Sequence, residues 1–301
     1  MKVDNTALET ADTCPLKYKL RHIDGYVPLR RRPALSFGGA VHEGLAEWYR
    51  TGDVGATLKK LVDVWPEVMP TEDFRTKEYA AKCLIEHAKA YPKEIFTILQ
   101  GASGPIVEQT FTIDTGMFLE CPCGGQNVYD GKCAECETPL EPIEYGGVID
   151  LGVDFNGMLY VVDHKTTSVL GNGDYFFMQF KPDSQMTGYI WGLSKLTNRR
   201  VGGAIINAIG VYKSGEVKLK RGITSRNQFE IDEWLRGVRD KCNEIKRRER
   251  SGVWPMRTKS CTMYGQCDFH SVHVLGDDVS RAKRLEQDYV VSKWNYETRD
   301  D

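Results

Sequence analysis

The chain has 301 residues, 41% hydrophobic and 27% charged, which is ample for a buried core and ordinary for a globular protein. Its net charge of −2 excludes a globally basic nucleic-acid binder, so a nucleic-acid partner has to be met by local basic patches. No apolar run approaches the roughly 20 residues of a membrane span, the opening MKVDNTALETADTCPLKYKL has no apolar signal-peptide segment, and nine cysteines point to metal ligation ahead of disulfides in a cytoplasmic protein.

In chain order, residues 5–22 read as a helix carrying Cys14-Pro15, Lys17, Tyr18 and Arg21. YVPLRRRP, residues 26–33, is a basic loop that its prolines keep irregular. Residues 36–50 form a helix whose apolar positions Val41, Leu45 and Trp48 recur at spacings of four and three, with His42 at the edge of that stripe. Helices are expected at 55–66 and 74–99, then a strand at 105–113. Residues 119–140 interrupt the pattern with glycines, prolines and cysteines. Two apolar, β-branched runs follow over 146–167, then a glycine-rich loop at 170–174, a helix at 183–196 and two strands, VGGAIINAIGVY and EVKLKRGI. Residues 226–250 are a long charged helix, 254–273 an irregular segment with cysteines, and 277–296 a last helix. The expected organisation is one domain over 1–301. It has a helical part at 1–100, a sheet core at 105–225 with an insert at 119–140, and a C-terminal helix and cysteine segment at 226–301.

The run 146–167, GGVIDLGVDFNGMLYVVDHKTT, carries the chemistry. Asn156-Gly157 is a strong signal for a two-residue hairpin turn. Such a turn pairs Phe155 with Met158 and sets Asp150 across from Asp163, with Lys165 on the same face. Opposed carboxylates repel, and a divalent cation between them reverses that repulsion. Acids and a lysine are common on exposed strands, but Val161-Val162 lead directly into Asp163 and imply a partly buried strand. Two acids and a lysine on one sheet edge suit metal-assisted phosphodiester hydrolysis.

Cys121-x-Cys123 and Cys133-x-x-Cys136 form two close pairs bracketed by glycines. They read as a small zinc-ribbon-like insert, although the first pair has one spacer where two are usual. Four thiolates leave no open position, so this Zn2+ is structural. For phosphate contact the candidates are Lys17, Arg21 and the Arg30, Arg31, Arg32 run, with Tyr18 able to stack single-stranded bases.

Gly147-Val148-Ile149-Asp150 followed by Asp163-His164-Lys165-Thr166 resembles the paired motifs of PD-(D/E)XK nucleases, in their RecB-like branch. His42 in GGAVHEGLAEW resembles that branch's helical histidine, Gln185 and Tyr189 its QxxxY helix, and Cys14-Pro15 its opening CP helix. The resemblance covers roughly residues 10–275, with the cysteine insert outside it. It implies an α/β, restriction-endonuclease-like core with a mixed central sheet flanked by helices. It further implies Mg2+ or Mn2+ held by His42, Asp150, Asp163 and the His164 backbone carbonyl, with Glu108 as an additional acid. Lys165 assists the attacking water, while Gln185 and Tyr189 contact the phosphate or a base. Cys14, Cys261 and Cys267 with His273 are similar to the branch's iron–sulfur closure with one cysteine fewer, implying a 4Fe-4S cluster, a second Zn2+, or packing cysteines without metal. The implied function is an exonuclease acting on DNA, single-stranded or with free ends, in recombination, repair or replication, with a source in a bacterial or phage-infected cytosol and a recombination or replication protein as partner. The alternatives are a catalytically silent nucleic-acid-binding or metal-binding scaffold and an RNA-directed nuclease.

Overall fold

The computed structural model describes all residues except 31, 67–72, 103, 126, 172–174, 264 and 297–301. It divides into two compact units, one of residues 31–111 and 148–228 and one of residues 1–30, 112–147 and 229–301. The class is α/β, with a mixed central sheet flanked by helices.

The unit of residues 31–111 and 148–228 opens with α1 (Pro33–Thr51), α2 (Val54–Val64) and α3 (Lys77–Ala90). Proline starts α1 where its missing N–H costs nothing, and Gly52, at φ 67°, ends it. Asp53 and Thr76 cap the next two helices through their side chains. The helix expected at 74–99 stops at Ala90, because Pro92 cannot continue it. Strand β1 (Thr97–Ile98), residues 107–111 of β2 (Val107–Phe118), residues 148–155 of β3 (Pro142–Phe155) and strand β4 (Met158–Thr167) follow. Helix α4 (Ser184–Thr197) then carries the chain across to β5 (Val201–Val211), and β6 (Val217–Thr224) completes the unit.

Strand β4 pairs antiparallel with β3 and parallel with β5, and β5 pairs antiparallel with β6. Central strands are covered on both faces, which explains why β3 to β5 read as near-continuous apolar runs. The core joins Phe37, Val41 and Leu45 of α1 to Leu84 of α3 and to Leu151, Val162, Ile205 and Ile209 of the sheet. Each such side chain contributes about 1.5–3 kcal/mol on burial.

The hairpin turn has the expected two residues. Asn156 and Gly157 are both left-handed, at φ 54° and 82°, and the Gly157 N–H donates to Asp154 Oδ1 at 2.7 Å. The register runs from Met158 opposite Phe155 to Val162 opposite Leu151, and stops one step before Asp150 and Asp163.

In the other unit, the helix expected over 5–22 is broken into Asn5–Thr13 and Pro15–Tyr18, followed by a wide turn over Lys19–Ile23. Cys14 between them is extended, as the residue before a proline prefers. The basic loop begins as a short strand, Tyr26–Pro28, paired antiparallel with Tyr289–Val291. The expected final helix accordingly ends at Asp288. Phe269, Val272, Tyr289 and Leu20 form a small core there, and Trp234 of the long helix Gln228–Ser251 packs edge-on against Tyr145.

Two glycines should respond oppositely to a methyl group. Gly157→Ala forces a side chain into the left-handed region and costs about 1–2 kcal/mol. Gly237→Ala, in an open stretch of the helix Gln228–Ser251, stabilises by up to about 1 kcal/mol. Urea midpoints should move in opposite directions at unchanged slope.

Candidate active site

Three elements bring a mixed set of ligands to one point. His42 from α1, Glu108 from the start of β2 and Asp150 from β3 each offer an atom within 4.8 Å of the others. His42 Nδ1 lies 3.4 Å from Asp150 Oδ2. Asp150 is 4% exposed, so its charge must be answered locally. The backbone N–H of His164 answers part of it, donating to Asp150 Oδ2 at 2.8 Å. That amide is therefore turned to a side chain where the ladder would otherwise continue. Glu108 sits at φ 52°, a left-handed conformation inside a strand. For a non-glycine residue this costs on the order of 1–3 kcal/mol and is characteristic of sites where function fixes the backbone.

Asp163 faces a different partner. Lys165 Nζ lies 3.2 Å from its Oδ1 and 2.9 Å from its Oδ2, and Asp163 is not in the group formed by His42, Glu108 and Asp150. Lys165 also donates to Gln185 Oε1 at 2.8 Å, and Gln185 Nε2 donates to the Tyr189 hydroxyl at 3.2 Å. Gln185 and Tyr189 stand one turn apart on α4, so one helix face orients the lysine. Burial pushes the Asp163 carboxyl up to about 7; Lys165 opposes this and Asp150 adds to it. Burial works to lower Lys165, but the charges of Asp163 and Asp150 outweigh it and raise its pKa.

Behind this edge lies a buried polar assembly that the sequence reading did not name. The His164 side chain, 1% exposed, lies against Asn207, which in turn meets His87 and Arg221. Arg221 forms a two-pronged pair with Glu94 at 2.7 Å per bond, and Tyr49 donates to Glu94 at 2.8 Å. Asn207 carried a signal: it is the one amide inside the apolar run of β5.

In the other unit, Cys121, Cys123, Cys133 and Cys136 gather within 4.8 Å of one another around a tight hairpin of Val128–Tyr129 and Lys132–Cys133. The Thr138 hydroxyl, 3.1 Å from Cys136 Sγ, pulls that thiol down to about 6, and contact with Glu135 raises Cys133. Cys14, Cys261, Cys267 and His273 do not close to the spacing of one shared ion. The Cys14 sulfur accepts from the Arg257 N–H, and the Cys267 N–H donates to the Cys261 carbonyl. Tyr18 is buried between His22 and Trp254, which leaves it no open face for a base. Lys17 pairs with Asp268 at 3.5 Å, and Arg21 lies over the Trp294 ring. Arg30 is exposed, Arg32 is half-buried, and Arg31 lies outside the described residues.

His87 makes the assembly sensitive to acid. Burial, then the Arg221 charge, lowers its pKa to about 3 in the fold. An unfolded histidine takes its proton near pH 6.5. Stability is therefore present above that value and lost as pH falls toward 3, by up to about 1.4 kcal/mol per pH unit. Urea midpoints between pH 7 and 4 should fall more steeply for the wild type than for His87→Gln.

A family model of the PD-(D/E)XK nuclease superfamily matches residues 5–272. No curated protein matches the sequence. A solved structure of a candidate exonuclease from Eubacterium rectale shares the fold, with a TM-score of 0.52 and 14% identity over 91% of this chain and 89% of that one. A second solved structure, SSO0001, is 12% identical over 79% of this chain and 84% of its own, with a TM-score of 0.28 that carries no weight. No helix among the described residues is long and apolar enough to cross a membrane. With a family match over most of its length, this chain belongs to the PD-(D/E)XK nuclease superfamily, whose members hydrolyse phosphodiester bonds in nucleic acids.

Proposed function

We propose that the chain is a divalent-metal-dependent DNA nuclease of the RecB-like branch, an exonuclease acting on free ends in recombination, repair or replication, in a reducing cytosol. The observation that carries this reading is the convergence of His42, Glu108 and Asp150 beside a lysine fixed by Asp163 and Gln185. An imidazole with two carboxylates is a donor set that fits Mn2+ or Mg2+, and the imidazole favours Mn2+. The His164 carbonyl adds an oxygen ligand in this reading. When bound, the cation neutralises charge on the scissile phosphate and eases deprotonation of the attacking water.

The protein's own groups do the rest. Asp163 and Gln185 hold the Lys165 ammonium, which donates to a non-bridging phosphate oxygen and stabilises the charge that grows there. Tyr189 keeps the Gln185 amide turned so that its oxygen faces the lysine. Asp163 thus serves the centre through Lys165. The four cysteines of the insert would hold one Zn2+, which would staple a segment too small for a core of its own.

Labelled DNA and RNA oligonucleotides and closed-circular plasmid, with Mg2+ or Mn2+, test this. Linear DNA should be degraded, and Asp150→Ala and Lys165→Ala should each slow cleavage by about 100-fold or more. Unchanged cleavage in both variants would sink the mechanism; preference for RNA, or nicking of closed circles, would revise the substrate. Metal analysis should find one zinc per chain, released by a thiol-modifying mercurial and absent from Cys133→Ser, which should still cleave. Purified chain carrying iron in place of zinc would overturn the assignment of the insert.

A further inference from the structure

Across three neighbouring strands, His164, Asn207 and Arg221 stand in a row, since the register sets His164 beside Asn207 and Asn207 beside Arg221. The charged end of the row fixes the direction of every hydrogen bond in it. Arginine can only donate. Its Nε gives to Asn207 Oδ1 at 3.0 Å, while Nη1 and Nη2 give to Glu94. The Asn207 oxygen is thereby committed to Arg221, and its amide nitrogen must face the imidazoles. It donates to His164 Nδ1 at 2.9 Å and to His87 Nε2 at 3.2 Å. His164 Nδ1 is therefore an acceptor, and the neutral ring carries its hydrogen on Nε2. The same ring stacks on Tyr49, with centroids 5.5 Å apart and planes 13° from parallel, and meets His42 edge to face at 5.8 Å. Its backbone N–H holds Asp150.

We propose that Asn207 is a positioning residue of the metal centre: clamped by Arg221 and Glu94, it holds the His164 ring in place against His42, with the ring's tautomer as the readout of that hold, while the His164 backbone amide seats Asp150. The inference rests on reading His42, Glu108 and Asp150 as a metal site. The centre is then set by β6, two strands away from β4, with no contact between Asn207 and the ion. Groups hydrogen-bonded directly to metal ligands tune affinity by about 10- to 100-fold when removed, and Asn207, one contact further back, is expected at the low end of that range.

Two measurements on the full chain test it. Nitrogen NMR of ring-labelled, metal-free protein should show His164 with its hydrogen on Nε2. In Asn207→Asp the carboxylate can only accept, so the hydrogen should appear on Nδ1. Calorimetric titration with Mn2+ should show Asn207→Leu binding about tenfold more weakly than wild type, with much of the loss restored in Asn207→Asp, which still holds the ring. A wild-type ring protonated on Nδ1 overturns the inference. So does an Asn207→Leu variant that binds Mn2+ as tightly as wild type while Asp150→Ala does not bind, and that outcome leaves the metal site standing. Undiminished Mn2+ binding by Asp150→Ala removes the metal reading itself, and the inference with it. If Asn207→Leu does not fold, the ring spectra and the Asn207→Asp titration decide.

Discussion

A carboxylate buried in a sheet persists only where something answers its charge, and Asp150 sets the terms for what surrounds it. The backbone amide of His164 leaves the strand ladder to meet it, and His42 approaches it from α1. The end of the β3–β4 pairing is thus part of the site. Had the ladder continued, that amide would have been spent on backbone, and Asp150 would stand across from Asp163 with no donor between them. The two acids are instead answered separately, one by an amide and an imidazole, the other by an ammonium.

Legibility in the sequence followed how local each feature is. Asn156-Gly157 announced the turn because both positions need left-handed backbone, and the turn dictated the register up to Val162 and Leu151. The placing of Lys165 on the face of Asp163 was readable because strand alternation is a short-range rule, whereas Gln185 and Tyr189 were named from the resemblance to a QxxxY helix. Proline marked two places where long helices were expected and do not form, at Cys14-Pro15 and at Tyr91-Pro92. The left-handed Glu108 could not be read, since nothing adjacent in sequence demands that conformation. The row from His164 to Arg221 was hidden for a different reason. Its members come from three strands, and Arg221, in KLKRGI, looks like any solvated charge until Glu94 is seen to pair with it.

Helix α1 joins the two kinds of order. One face of it packs Phe37, Val41 and Leu45 into the apolar core, and a neighbouring edge carries His42 and Tyr49, two turns apart, onto the polar row. Apolar packing gives the helix its depth; the stack of Tyr49 on His164 and its bond to Glu94 give it rotation. In the proposed metal site His42 needs both settings, because an imidazole directs its lone pair along one line.

The two groups of side chains close enough together to share an ion also differ in how far apart they lie along the chain, and that separates the thermodynamics of any ion they hold. Cys121 to Cys136 occupy one short segment, so an ion can find all four thiolates in an unfolded chain. Binding to the unfolded state reduces the stabilisation such an ion gives. His42, Glu108 and Asp150 come together only once helix and sheet have docked, and an extended chain offers no comparable site. Binding of any ion shared by those three side chains is therefore linked almost wholly to the native state, so that it would report completed folding.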